Sequence, residues 1–284
     1  MKEREHRILN HPILGYFLLI FFVMIIAQVV SYIIDNMILA GIISGYAVTQ
    51  TIAGAERTQA TGIGSAVGAV LAIGLFYLWF RPAYDGMLKK KDLLKGLALL
   101  APILIIHWIG SIVNWVQFGT ASVLIAFLRS SAPGFGEEAT FRGLGVANYM
   151  RRNPTEKGIV KILWLSSIVF GLVHVGNALA GAPLLISMGQ AAYAVGIGMV
   201  LGAVYLRTGN LWPSILGHMS MDFLELIRSD LDSSGGVVSG LGAGDWITII
   251  AGAVGFFWGL YLVRPAKRPE IVEIWKNKWS VYKQ

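Results

Sequence analysis

Ionisable side chains interrupt three of the long apolar runs in this chain, and their types suit proton transfer or metal binding. One run carries two glutamates and an arginine, the next carries a histidine, and a later run carries a histidine with two carboxylates. These residues are Glu137, Glu138, Arg142, His174, His218, Asp222 and Glu225. A charge at the centre of a membrane helix costs ~2.5–3.5 kcal/mol on insertion scales. Each of them therefore needs a partner or a function.

Glu138 and Arg142 are four residues apart, so on a helix they share one face and can form an ion pair. Glu137 points about a quarter-turn away. One interpretation is a purely structural buried network. The other gives Arg142 the task of holding Glu138 and leaves Glu137 free to act as a base in a cleft of low dielectric constant.

His218 and Asp222 are also four residues apart, and Glu225 follows one turn later on the same face. This spacing suits two ligands on one metal, or a histidine oriented by a carboxylate. Asp222 and Glu225 could instead be simple pore-facing or loop-end charges. His174 follows Phe170 by four residues, and a single histidine in a membrane helix is often only a hydrogen-bonded packing residue.

The composition is that of a membrane protein. Of 284 residues, 55% are hydrophobic and 14% charged, with a mean hydropathy of +0.64, whereas soluble domains carry roughly 25% charged residues. The absence of cysteine excludes disulfides, thiolate zinc sites and a cysteine nucleophile. The net charge is +7, and the basic residues lie between and beyond the apolar runs. They therefore indicate membrane topology and no nucleic-acid partner.

The elements that must position these residues are long apolar helices. Reading for about 20 apolar residues at a time predicts an all-α, polytopic transmembrane bundle of about eight spans, forming a single membrane domain over 1–284. A seven-span count is the alternative, because Pro133, Gly134 and Gly136 interrupt the fourth span and could separate a re-entrant piece. The predicted spans are 13–34, 62–80, 95–117, 121–150, 158–177, 183–206, 211–228 and 246–263.

Eight spans with a cytoplasmic N-terminus place the basic clusters and the C-terminus in the cytoplasm, in agreement with the Lys/Arg excess of cytoplasmic loops. The tail from Arg264, with Trp275 and Trp279 among basic residues, is interpreted as an interfacial anchor.

The polar residues of the three runs are predicted to lie at a similar depth in the membrane. Glu137, His174 and His218 lie 14, 13 and 11 residues from the nearest predicted cytoplasmic boundary. At 1.5 Å per residue these counts become roughly 17–21 Å. The three helices are therefore expected to present their polar residues in one layer.

Three motifs in this order resemble the CAAX-protease and bacteriocin-processing (Abi) family of intramembrane endopeptidases. They are Glu137-Glu138-Ala-Thr-Phe-Arg142, Phe170-Gly-Leu-Val-His174 and His218-Met-Ser-Met-Asp222. The resemblance covers about 121–228.

The resemblance implies that Glu137 and His174 activate a water molecule for attack on a peptide carbonyl, with Glu138 and Arg142 as supporting residues. His218 and the residue four positions later would stabilise the oxyanion or bind metal. That second residue is Asn in the prenyl-protein proteases of the family and Asp222 here. An Asn amide donates a hydrogen bond, whereas an ionised Asp only accepts, so Asp222 must be protonated, orient His218 or bind metal.

The sequence thus favours a membrane-embedded peptidase acting on a membrane-associated or lipid-modified, CAAX-type protein or peptide. Its expected partners are that substrate, with or without a prenyl group, and membrane lipid. Metal-free hydrolysis is the preferred chemistry, because water activated by Glu and His needs no metal. A zinc site made of Glu137, His174, His218 and Asp222 is the alternative chemistry. Rival functions are a non-catalytic membrane immunity or partner protein and an ion-coupled transporter.

Overall fold

The computed structural model describes most of the chain as helices. The residues it describes are 11–34, 48–52, 55–59, 63–80, 92–118, 123–178, 183–227 and 243–278. The α-helices are α1 (Pro12–Tyr32), α2 (Ile63–Phe80), α3 (Leu93–Phe118), α4 (Val123–Ser131), α5 (Ala147–Arg152), α6 (Glu156–Val175), α7 (Leu184–Thr208), α8 (Trp212–Leu226), α9 (Ala243–Leu262) and α10 (Arg268–Lys278). A π-helix (Ala132–Val146) joins α4 to α5, and short 3-10 turns span Gly176–Ala178 and Pro265–Lys267.

Helix ends follow ordinary capping chemistry. His11 accepts a hydrogen bond from the backbone of Leu14 at the start of α1, and the Thr155 hydroxyl accepts one from Gly158 at the start of α6. Both side chains satisfy backbone N–H groups that a first turn leaves unpaired. Helix α7 ends at Gly209, whose φ of 64° lies in the left-handed region that glycine adopts without strain.

Within the described residues, five helices are long and apolar enough to cross a membrane. They are Pro12–Tyr32, Leu93–Gln117, Glu156–Ala178, Leu184–Thr208 and Ala243–Leu262. The other predicted spans correspond to α2, to the α4–π–α5 segment and to the short helix α8. The helical-bundle prediction is confirmed in this form, and the count of eight stays a prediction.

The structure contains one short β-hairpin, which the all-α prediction did not include. Strands β1 (Val48–Ile52) and β2 (Ala55–Gln59) pair antiparallel, and their register closes at Ile52 opposite Ala55. Strand β1 is rich in β-branched residues, which favour extended backbone. The hairpin falls between the first and second predicted spans.

The fourth predicted span is widened rather than broken at its Pro/Gly cluster. The helical path continues from Val123 to Arg152, and the Ala147 N–H donates to the carbonyl of Arg142, five residues earlier. Pro133 lies where the α-helix passes into the π-helix, so its missing N–H removes one hydrogen bond from the continuous helical path. The alternative of a separate re-entrant piece is wrong for this segment.

Glycines bring the π-helix close to its neighbours. A Cβ at Gly134 would lie 2.6 Å from the Cβ of Met219 on α8, and one at Gly136 would lie 3.3 Å from Ala69 on α2. Small residues permit such close packing of membrane helices. The π-helix, which carries Glu137 and Glu138, is therefore fixed directly against the helix that carries His218.

Helix α7 is the central helix of the bundle and packs against α6, α9 and α3. It is buried along its C-terminal half, from Gly196 to Thr208. At Gly196 the backbone of α9 comes so close that any Cβ would overlap the carbonyl of Gly252.

The C-terminal helix α10 docks onto the ends of α6 and α7. Trp275 is completely buried, and its indole N–H donates to the carbonyl of Leu206 at 3.0 Å. Trp275 therefore packs inside the protein and does not itself reach an interface, whereas the interfacial anchor stays a prediction for the tail from Arg264. Trp279 lies outside the described residues.

Candidate active site

The second glutamate of the first motif is the centre of a buried charge network. Oε1 of Glu138 lies 2.9 Å from Nη1 of Arg142 and 3.0 Å from Nδ1 of His218. Glu138 and Arg142 are both completely buried. The expected ion pair is thus present, and it also reaches the third motif on α8. One carboxylate oxygen thus bridges the Arg142 guanidinium and the His218 ring.

Arg142 has further contacts that hold its position. Its guanidinium carbon lies 4.2 Å from the centre of the Phe170 ring, a cation–π distance. Its Nη2 donates to the carbonyl of Gly198 on α7 at 3.3 Å. Arg142 therefore joins the π-helix to both α6 and α7.

Phe170 is the residue around which the three motifs meet. Its ring centroid lies 5.1 Å from that of His174 and 5.8 Å from that of His218, and both ring pairs are T-shaped. Phe141 packs edge-on against it at 5.2 Å. The sequence supplied Phe170 only as the residue four before His174, and its role in bringing the motifs together was missed.

The hydrogen bond of His174 determines which of its nitrogens is available. Nδ1 lies 2.8 Å from the carbonyl oxygen of Phe170. A carbonyl oxygen can only accept, so Nδ1 carries the proton. In the neutral ring, Nε2 then keeps its lone pair and can accept a proton or a hydrogen bond.

Glu137 differs from its neighbour Glu138 in its contacts. Its Oε2 is buried and has no hydrogen-bond partner among the described residues. Its carboxylate lies within electrostatic range of both His218 and Asp222 on α8. No hydrogen bond or ion pair joins it to His174 in the part of the chain that the structure describes.

Asp222 lies at the more open end of the site. Its Oδ2 is 3.6 Å from Nε2 of His218, and its side chain is 31% exposed. This distance is longer than a hydrogen bond. Asp222 and Glu138 therefore lie on opposite sides of the His218 ring, one in loose contact and the other hydrogen-bonded.

The predicted zinc ligands do not form a ready metal site. Among the described residues, no group of three or more His, Asp or Glu side chains is arranged to hold a metal ion. We therefore derive no step through a metal.

A second polar cluster lies beside the site on α3 and was not recognised as a cluster from the sequence. Oγ of Ser111 lies 2.7 Å from Oε1 of Glu225 and 3.2 Å from Nδ1 of His107. Nε2 of His107 is 3.9 Å from the same Glu225 oxygen. The four-residue spacing of His107 and Ser111 was the available signal, but serine is too common in apolar helices for it to stand out.

Comparison with protein families matches residues 119–224 to the family described as Type II CAAX prenyl endopeptidase Rce1-like. Comparisons with curated proteins and with solved structures give no match. The matched segment nearly coincides with the region 121–228 that carries the three motifs.

The family match and the long apolar helices together support an integral multi-pass membrane protein, and residues 119–224 resemble a family of membrane endopeptidases. Proteases of this family act on prenylated proteins or peptides in membranes. The resemblance to the CAAX-protease and bacteriocin-processing family is thereby confirmed, and it rests on residues 119–224.

Proposed function

We propose that this protein hydrolyses a peptide bond in a membrane-associated or lipid-modified, CAAX-type protein or peptide, using a water molecule activated by Glu137 and His174. The observation that carries this proposal is the division of roles within the glutamate pair. Glu138 is held by Arg142 and His218, whereas Glu137 keeps an unpartnered, buried carboxylate oxygen. A buried carboxylate without a partner is a suitable general base.

In the proposed reaction, Glu137 takes a proton from water, and the water oxygen attacks the carbonyl carbon of the substrate. His174 assists by accepting a hydrogen bond from the same water through Nε2, because Nδ1 is bonded to Phe170. When the carbon–nitrogen bond breaks, the proton passes from Glu137 to the leaving nitrogen. One water is consumed, and a carboxylic acid and an amine are released.

The developing oxyanion needs hydrogen-bond donors, and His218 and Asp222 are the candidates on α8. The proton on Nδ1 of His218 is committed to Glu138, so donation toward substrate uses Nε2 of the doubly protonated ring. Asp222 can donate only when its carboxyl is protonated. Preorganised donors of this kind are worth about 10²–10³-fold in kcat each.

Replacing Glu137 with Gln tests the proposal. The purified protein is reconstituted in proteoliposomes and incubated with fluorogenic reporter peptides that end in a CAAX sequence, with and without a farnesyl group. E137Q is expected to lose at least 10²-fold in kcat while its thermal unfolding stays close to that of the wild type. Glu156→Gln, on the exposed first turn of α6, is the matched control and should cleave normally.

The rival functions give different results in the same preparation. Undiminished cleavage by E137Q overturns Glu137 as the base. A non-catalytic partner protein is indicated if the wild type cleaves neither peptide and the E137Q variant keeps the biological activity of the wild type. Ion-dependent substrate uptake by the proteoliposomes would identify a transporter.

A further inference from the structure

Two helices of the bundle, α6 and α9, each expose a stripe of apolar side chains that ends in basic residues. Residues spaced by three and four positions lie on one helix face, so each stripe is a continuous surface. Neither stripe carries a side chain assigned to the candidate active site. The α6 stripe consists of Lys157, Lys161, Trp164, Ile168 and Leu172, and the α9 stripe consists of Trp246, Ile250, Val254, Phe257 and Tyr261, followed by Arg264.

The basic ends of the two stripes lie at the same end of the bundle. Helix α10 follows directly after α9. One cavity is lined by Thr155 and Glu156, at the start of α6, together with Val272 and Glu273 of α10. The start of α6 and the end of α9 are therefore close in space, and the two helices run in opposite directions.

An aromatic contact joins the two stripes. Trp164 on α6 packs edge-on against Phe256 on α9, with ring centroids 5.5 Å apart. Phe256 in turn lies 5.3 Å from Phe257, the next residue and a member of the α9 stripe. Both helices also pack against α7. The stripes therefore form two sides of one apolar surface, and we call it the α6–α9 surface.

The aromatic contact also fixes the relative height of the basic residues. Measured from the Trp164–Phe256 contact, Lys161 lies ~4.5 Å and Tyr261 ~7.5 Å nearer the basic end, at 1.5 Å per residue. The guanidinium carbon of Arg264 lies 4.0 Å from the centre of the Tyr261 ring, and its Nη1 donates to the Tyr261 carbonyl at 3.0 Å. Lys161 and Arg264 therefore present positive charge at nearly the same level, one from each stripe.

Acidic side chains of the protein do not compensate the lysines of the α6 stripe. In the part of the chain that the structure describes, neither Lys157 nor Lys161 has an ion-pair partner. Glu156 and Glu273 line the cavity beside α10, and Glu270 pairs with basic residues of α3 and α7. A lysine on the lipid-facing side of an apolar helix extends its ammonium group to the headgroup region. The charge of this stripe is thus available to an anion from outside the protein.

We propose that an anionic phospholipid binds to the α6–α9 surface, with its phosphate group at Lys161 and Arg264 and its acyl chains over Trp164 and Phe257. Ammonium and guanidinium groups form strong charge-assisted hydrogen bonds with phosphate oxygens. The apolar remainder of both stripes suits acyl chains, whereas a soluble anion would gain nothing from it. The binding site is independent of the proposed hydrolysis, because it lies on the outer face of α6 and Phe170 lies on the buried face.

Native mass spectrometry of the delipidated full-length protein in detergent tests the proposal. Phosphatidylglycerol and phosphatidylcholine with identical acyl chains are added separately at increasing concentration. The wild type should bind phosphatidylglycerol at least fivefold more tightly. Lys161→Gln and Arg264→Gln should each weaken that binding about fivefold, the contribution of one basic residue near an anionic surface. Lys276→Gln, on the exposed face of α10, is the matched control and should bind like the wild type.

Thermal unfolding distinguishes a lipid from a soluble anion. Phosphatidylglycerol should raise the unfolding temperature of the wild type, because a ligand of the folded state stabilises it, and should raise that of Lys161→Gln less. Inorganic phosphate at the same concentration should not. Equal affinity of the wild type for the two lipids, or equal phosphatidylglycerol affinity of Lys161→Gln and Lys276→Gln, overturns the proposal. Equal stabilisation by inorganic phosphate would identify a soluble-anion site and overturn the assignment to lipid.

Discussion

Nδ1 of His218 lies 3.0 Å from Oε1 of Glu138, which connects the first and third motifs of the candidate site directly. Arg142 contacts the same oxygen at 2.9 Å. A carboxylate held by two donors is poorly suited to exchange protons with water. This contact is therefore the physical reason for assigning the base to Glu137 and a positioning role to Glu138.

Removing Arg142 should destabilise the protein strongly. In Arg142→Met, Glu138 stays buried with its main charge partner gone, and breaking a buried pair on one side costs about 3–5 kcal/mol. The free energy of unfolding, measured by titration with a denaturing detergent, should fall accordingly. The double variant Arg142→Met/Glu138→Gln removes both charges and should recover much of the loss. Equal losses in the two variants would show that the pair is not the cause.

His174 is expected to act on catalysis rather than on folding. His174→Ala removes the Nε2 acceptor proposed to bind the attacking water, so kcat should fall about 10²–10⁴-fold with little change in unfolding temperature. Asn177→Ala, three residues later, loses only an exposed hydrogen bond to Gln190 and serves as the control. Wild-type kcat in His174→Ala would remove this residue from the mechanism.

Local spacing predicted the contacts that stay within one helix turn. The Glu138–Arg142 pair follows from a four-residue separation and is present even though the segment winds as a π-helix. The His218–Asp222 contact follows from the same rule. The family resemblance was also predictable, because the order of the three motifs along the chain is a property of the sequence alone.

Contacts between helices were not predictable in the same way. The π-helix depends on backbone approach to neighbouring helices, such as Gly134 against Met219, and no single-sequence pattern encodes that partner. Ser111 is hydrogen-bonded to Glu225, which is 114 residues away. Trp275 among basic residues indicated an interface, but tertiary packing buries it.

The contact between α7 and α9 should tolerate no side chain at Gly196. In Gly196→Ala, the new Cβ would overlap the carbonyl of Gly252, and since backbone moves less easily than a flexible side chain, a loss of about 1–3 kcal/mol is expected. Gly189→Ala on the same helix meets nothing within 4 Å. It should be neutral or roughly 0.5–1 kcal/mol more stable, because alanine favours helix. Similar unfolding free energies for the two variants would contradict this packing.

Removal of metal ions should leave hydrolysis intact. The proposed water activation uses Glu137 and His174, and the described residues offer no set of three ligands for one ion. Protein treated with a chelator and transferred to metal-free buffer should keep its kcat, and elemental analysis should find less than one zinc per chain. Activity that disappears on chelation and returns with added Zn²⁺ would instead establish the zinc alternative.

Glu270 on α10 fixes the C-terminal helix to the ends of two others through ion pairs. It lies 3.4 Å from Lys95 at the start of α3 and 3.4 Å from Arg207 at the end of α7. Partial burial raises the pKa of Glu270, but Arg207, followed by Lys95 and Lys267, outweighs that effect and holds the pKa below the usual glutamate value. The ionised carboxylate therefore stabilises the docked helix.

The sign of the pH dependence follows from that lowered pKa. A carboxyl whose pKa is lower in the folded state contributes stability above its unfolded pKa and loses that contribution as the pH falls through the folded pKa. The unfolding temperature of the wild type should therefore fall as the pH is lowered from about 5 through the folded pKa. Glu270→Gln should lack this part of the pH dependence. Glu273→Gln, a neighbouring exposed glutamate on α10, is the control. Because the pairs are partly exposed, high salt should reduce the difference between wild type and Glu270→Gln. Equal stability of the two proteins at low salt would contradict the role of Glu270 and show that packing, such as that of Trp275, holds the helix.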